Sequence, residues 1–153
     1  MNFVELFKPE SIVLDLEAFD SDSALASLTD AHIANNSSLA ERKDEILEAL
    51  RARESGGSTG ASGVGIPHVK LDGLTDVSIV IAIHKEGVDF NALDAEDVHV
   101  FFSILRPTEG AEDHLDLLRW VASLAKHEDF VSFACQASDS TQIIDLLSEL
   151  AEA

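Results

Sequence analysis

Hydrophobic and polar residues along the 153-residue chain fall into three zones with different periods. The first zone is helical. Asp20-Ser21-Asp22 can cap a segment whose apolar face is marked by Leu25, Leu28 and Ile33, and Asn35-Asn36 ends it. Ser38-Leu-Ala-Glu41 has capping-box form, which predicts a second helix with Ser38 as N-cap. That helix turns Leu39, Ile46, Leu47 and Leu50 inward and ends near Glu54.

In the middle zone the period changes to that of strands. Residues 77–83 are β-branched and nearly all apolar, as a strand covered by helices on both faces requires. Residues 98–105 form a second such strand, stopped by Pro107, and residues 86–90 between them read as a turn or short connection. The last zone returns to a helical period. Counted from His114, Leu117, Leu118, Val121, Leu124 and Ala125 trace one stripe. Phe130, Val131, Phe133 and Ala134 predict a short buried helix, and Ile143, Ile144, Leu146, Leu147 and Leu150 a final one. The pattern is that of an α/β fold.

Residues 55–65, SGGSTGASGVG, hold five glycines and four serine or threonine residues and form a flexible loop. The loop is too short to separate domains, so residues 1–153 are read as a single domain.

Composition narrows the function. Acidic residues number 29 against 10 basic ones, a net charge of −19, yet 46% of the chain is hydrophobic, which excludes disorder. So acidic a surface, without a basic run, repels nucleic-acid phosphates and anionic headgroups. No apolar run approaches the roughly 20 residues of a membrane helix, and the N-terminus does not have the form of a signal peptide. The single cysteine, Cys135, can form neither an internal disulfide nor a C-x-x-C pair, which fits a reducing compartment. A cytoplasmic location, with no nucleic-acid partner and no membrane insertion, is expected.

The Gly-rich loop contains neither a Walker-type lysine nor a dinucleotide fingerprint. Instead Gly63-Val-Gly65 runs into Ile66-Pro67-His68. Proline fixes the backbone before His68, and the glycines leave room for a tetrahedral group or a partner backbone. His68 is thus a candidate nucleophile, although taken alone it also reads as an ordinary loop histidine. His114, on the apolar stripe at a helix start, faces the sheet near an anion-favouring terminus, and alone it reads equally as a core histidine. Arg53, taken alone, is a solvated or capping charge at a helix end. His32, His84, His99 and His127 have no second ligand at metal spacing, so neither metal nor cofactor is expected, and Cys135 is read as packing.

Three segments together resemble a known family. Arg53-Glu-Ser-Gly-Gly-Ser-Thr-Gly, then Gly63-Val-Gly-Ile-Pro-His68-Val-Lys-Leu-Asp-Gly73, then Asp113-His114-Leu-Asp-Leu-Leu118, resemble the fructose/mannitol-type enzyme IIA of the phosphoenolpyruvate-dependent sugar phosphotransferase system. The nitrogen-regulatory branch is the most similar. The family's usual alanine is Gly65 here, and the loop between Arg53 and His68 is one residue shorter. The resemblance implies a central mixed β-sheet flanked by helices on both sides. It also implies a phosphotransferase whose His68 accepts a phosphoryl group on Nε2, with His114 as the second active-site histidine and Arg53 as the arginine of the Arg-Glu pair ahead of the loop. The implied donor is the phosphorylated histidine carrier protein, HPr or its nitrogen-branch paralogue. The implied outlets are an enzyme IIB cysteine or regulatory target proteins. Lys70 reads as an attractor of the donor's phosphoryl group or as a solvated lysine.

Physical chemistry agrees with that role, because a neutral imidazole can both receive and donate phosphorus and an arginine fork can hold the equatorial oxygens. The chain ends without IIB or membrane segments, which favours a stand-alone regulatory protein, with a separate sugar-specific IIA subunit as the alternative. A non-catalytic binding module of the same fold and a histidine-based hydrolase are the rival readings. No acidic residue lies within 55–70, so the negative charge is expected away from His68. It would serve either solubility in a salty medium or steering of a basic carrier.

Overall fold

The chain runs through β1 (Ile12–Val13), α1 (Ser21–Asn35), α2 (Lys43–Ser55), β2 (Val64–Gly65), β3 (His68–Lys70), β4 (Ser78–Val88), β5 (Val98–Arg106), α3 (Ala111–Ala125), α4 (Phe130–Gln136) and α5 (Ser140–Ala151) in the computed structural model, which describes residues 3–151. The two apolar strands pair antiparallel, with Ile79 opposite Ile104 and Ile81 opposite Phe102. The sheet order is β1-β4-β5-β2, and β3 also pairs with β5. β1, β2 and β3 each run parallel to their neighbour, so the sheet is mixed.

β2 and β3 are two pieces of one interrupted edge. Val64 and Gly65 pair with Val100 and Phe101, and His68 resumes the ladder opposite Ile104. The break falls at Ile66-Pro67, because proline has no N–H to give the ladder. Its carbonyl still accepts from Ile104 N at 3.0 Å, so the strand leaves the sheet for only two residues.

Alternation along β4 and β5 divides the core. Val80, Ala82, Phe101 and Leu105 face α1 and α2, where they pack with Leu25, Leu28, Ile46 and Leu50. Ile79, Ile81, Phe102 and Ile104 face α3, α4 and α5, meeting Leu117, Val121, Phe130 and Leu147. Each fully buried aliphatic or aromatic side chain contributes roughly 1.5–3 kcal/mol. Helices thus cover both faces, as the resemblance implied.

The first core also holds His32, which no apolar pattern assigns a role. Its ring is fully buried, with Nδ1 2.7 Å from Ser78 Oγ and Nε2 3.0 Å from Ser103 Oγ. Burial holds its pKa down to about 3, so the ring stays neutral and one nitrogen donates while the other accepts.

Several sequence expectations need correction. Asp20 does cap α1, accepting from Ser23 N at 2.8 Å, but Ser38 is not a helix cap. Residues Ser37–Arg42 form a 3-10 turn capped by Asn36, whose Oδ1 accepts from Ser38 N, and α2 starts only at Lys43. Asn36 competes better for the free N–H because it directly ends the preceding helix. Residues 86–88, expected as a turn, continue β4 through an irregularity after Ile83. Gly87 N donates to His84 Nδ1 at 3.0 Å and His84 Nε2 lies 2.8 Å from Ala18 O, so the ring braces the distorted strand. Phe133, expected to be buried, is 52% exposed, because α4 is a single short turn pair that turns Phe130 and Ala134 inward instead.

Candidate active site

His68 is the first residue after the break in the edge strand. Its ring is half-buried, and Nδ1 lies 2.6 Å from the Ile66 carbonyl oxygen. A carbonyl can only accept, so Nδ1 carries the proton and Nε2 of the neutral ring keeps its lone pair. Burial holds the pKa below the usual histidine value. The Ile66 contact opposes that shift, and the positive charges of Arg53 and Arg106 reinforce it.

The Ile66 carbonyl is itself fixed from α2. Ile66 N donates to Thr59 Oγ1 at 3.0 Å, while Thr59 N donates to Glu54 Oε1 at 3.0 Å and the Thr59 hydroxyl reaches the same carboxylate at 3.1 Å. The Gly-rich loop is therefore pinned by one carboxylate at the end of a helix. Burial raises the Glu54 pKa, and the Thr59 bonds counter it. Glu54 and Thr59 were not singled out from sequence. The signal available was their place within the quoted Arg-Glu-Ser-Gly-Gly-Ser-Thr stretch.

The glycines do other work than the sequence indicated. A Cβ on Gly65 would meet Phe90 at 3.3 Å, one on Gly63 would meet Val131 at 3.2 Å, and one on Gly60 would meet Val98 at 3.1 Å. The room expected for a ligand is filled by the protein's own side chains. At Gly65 that space is taken by the ring of Phe90, edge-on to Phe101 at 5.0 Å between centroids.

Arg53 lies in the last turn of α2 and donates from Nη1 to Gly57 O at 2.9 Å. Arg106, not selected from sequence, ends β5 opposite Lys70. Strand alternation puts Arg106 and Ile104 on one face, the face His68 shares through its pairing with Ile104. His114 belongs to α3, which covers that same face. Its half-buried ring lines a cavity of about 1150 Å³ with Ser78, Ile79, Thr108 and Leu117. Ile79 lies two strands from His68, roughly 10 Å across the sheet. His68 does not line that cavity, and no hydrogen bond joins the two rings among the described residues. The charges of Arg53 and Arg106 act on the His68 ring, and His114 sits on a helix that covers the same face of the sheet.

A family model described as "Phosphoenolpyruvate-dependent sugar phosphotransferase system, EIIA 2" matches residues 5–150. The chain belongs to this family. This EIIA chain is 33% identical to the "PTS system fructose-specific EIIA component" of Haloferax volcanii, over 94% of its own length and 92% of that protein. It is 30% identical to a "Nitrogen regulatory protein" of Bradyrhizobium diazoefficiens, over 97% and 95% of the two chains. Among solved structures it superposes on the nitrogen regulatory protein IIA-Ntr of Neisseria meningitidis with a TM-score of 0.85 at 25% identity, covering 96% of this chain and 99% of that one. It superposes on the mannitol IIA of Escherichia coli with a TM-score of 0.71 at 17% identity, covering 92% and 98%, a likeness of fold. Among the described residues no helix is long and apolar enough to cross a membrane.

Proposed function

We propose that this EIIA chain is a histidine phosphocarrier whose acceptor atom is Nε2 of His68. The observation that carries the reading is the 2.6 Å contact between Nδ1 and the Ile66 carbonyl, which leaves Nε2 unprotonated in a ring kept neutral by burial. In the step proposed, Nε2 attacks the phosphorus of a phosphohistidine on HPr or its nitrogen-branch paralogue. The Nε2–P bond forms as the donor's N–P bond breaks, and the electron pair returns to the donor's ring. Arg53 neutralises the transferred group, and His114, on the same face, donates a hydrogen bond to it.

The group then passes to an enzyme IIB cysteine or is held as a regulatory signal. Both outlets have support among the similar proteins. One relative is a fructose-specific EIIA component and another a nitrogen regulatory protein, and a mannitol IIA of the same fold is solved in complex with phosphorylated IIB.

Incubation with phosphoenolpyruvate and the upstream carrier cascade tests the assignment. One acid-labile phosphoryl group is expected on the wild-type chain and none on His68→Ala. Equal labelling of the two proteins refutes the reading. His114→Ala is expected to fold and to accept the group more slowly, and unfolding of that variant would make His114 a structural residue instead.

A further inference from the structure

Three positive side chains near His68 in sequence or register form no ion pair with a carboxylate among the described residues, although the chain carries 29 acidic residues. Arg42, Arg51 and Arg119 each hold a carboxylate, of Glu45, Asp22 and Asp116 respectively. Among the described residues Arg53, Lys70 and Arg106 make no such ion pair. Arg106 is half-buried, and its guanidinium makes a long 3.4 Å contact from Nη1 to Pro107 O, its one hydrogen bond among the described residues. Moreover Lys70 and Arg106 are register partners across β3 and β5. Two like charges directly opposite each other destabilise a sheet. Lys70 and Arg106, like charges in register without an ion pair, suit an anion that is present only part of the time.

The register shows where such an anion sits. His68 pairs with Ile104, and Arg106 stands two residues further along β5 on the same face. That is the diagonal position, within reach of a long side chain. Pro107 ends the strand immediately after, biasing Arg106 toward an extended backbone at the end of the ladder. We infer that Arg106 is a second guanidinium for the phosphoryl group on His68, contacting its oxygens from the end of β5 while Arg53 does so from the end of α2. The inference rests on the acceptor role proposed for His68. The pKa of His68, lowered in part by both arginines, supports their proximity to the ring.

Phosphoryl transfer leaves the equatorial oxygens negative while one N–P bond replaces another, and catalysis depends on charges already in place. A charge-assisted contact from a planar fork fits that need, and an ammonium supplies the charge without the fork. Loss of Arg106 should therefore slow phosphorylation by roughly 10- to 100-fold, with a lysine recovering part of the rate.

The test uses the full chain with Arg106→Gln, Arg106→Lys and His68→Ala. It measures initial phosphorylation rates from the carrier cascade, His68 ring titration by NMR, and the melting temperature. Expected are a slow Arg106→Gln with its His68 pKa raised, because a nearby positive charge is gone, and an intermediate Arg106→Lys. Wild-type rate and wild-type titration in Arg106→Gln overturn the inference while His68 stands. A slow Arg106→Gln whose His68 titration is unmoved and whose melting temperature has dropped also overturns it, as a purely structural effect. Labelling of His68→Ala at the wild-type level removes the acceptor itself, whatever Arg106 does.

Discussion

The hydroxyl of Thr59 accepts the Ile66 amide at 3.0 Å, so the residue whose carbonyl orients His68 is tied back to the end of α2. Thr59 thereby acts on the His68 ring, the proposed acceptor, through one intervening residue. Thr59→Val keeps the side-chain shape but leaves the Ile66 N–H and the Glu54 carboxylate short of a partner. The expected cost is about 1–3 kcal/mol of stability. The phosphorylation rate should fall roughly tenfold as the ring loses its fixed direction. Urea unfolding and initial-rate measurements check the two effects, and a variant unchanged in both would show the clamp to be idle.

The lowered pKa of His68, due first to burial and then to Arg53 and Arg106 against the Ile66 contact, predicts the pH profile. A free imidazole is half protonated near pH 6.5 and loses its nucleophilic lone pair below that. Here the rate should stay level as pH falls through 6.5 and drop only at a lower value. The stability contribution has the same sign. The unfolded chain binds a proton near pH 6.5 that the folded ring refuses, so this stability is present above 6.5 and lost as pH falls toward the folded pKa. A rate inflection at or above pH 6.5 contradicts the burial argument.

His32 makes a larger acid effect of the same kind. With a folded pKa of about 3 and an unfolded value near 6.5, it contributes stability that is complete above 6.5 and is lost on acidification toward 3. The loss is on the order of a few kcal/mol. Denaturant unfolding at a series of pH values should show this slope. In His32→Leu the slope should shrink, at the expense of unpartnered hydroxyls on Ser78 and Ser103 that lower stability at neutral pH. An unchanged slope in that variant would assign the acid sensitivity elsewhere.

Ionic strength should stabilise the fold. The attractive surface pairs, such as Lys43 with Asp30 at 2.8 Å, are exposed, so water screens them and each adds little. Against them stands the mutual repulsion of a chain with net charge −19. Screening shortens from about 10 Å at 0.1 M salt to about 3 Å at 1 M, so repulsion should weaken more than the few pairs lose. The melting temperature should rise by several degrees over that range, followed by circular dichroism. A flat or falling curve would mean that the acidic groups are locally compensated. The transfer rate over the same series separates the two uses of the charge: it falls if the acidic surface steers a basic carrier.

Much of the fold is written in local periodicity. The apolar runs in β4 and β5, the stripe from Leu117 to Ala125 and the Asp20 cap all depend on near neighbours, and each appears where the residue pattern puts it. The Pro67-His68 dipeptide marks a candidate nucleophile, and the resemblance of three segments to the family proposes it as the acceptor. Other features were decided by residues far apart in sequence. Asn36 rather than Ser38 caps the turn because of where α1 happens to end, and β4 runs on to Val88 because His84 finds Ala18 across the fold. The room beside Gly65 is taken by Phe90, a neighbour only in space. Arg106 joins His68 through a strand register, and His32 meets Ser78 and Ser103 across 46 and 71 residues. Sequence determined which side chains could be nucleophile, cap or core, since those depend on the residue and its immediate spacing. Only the tertiary structure decided which of the remaining cations act on His68 and which polar groups are dry, because charge and desolvation act through space, not along the chain.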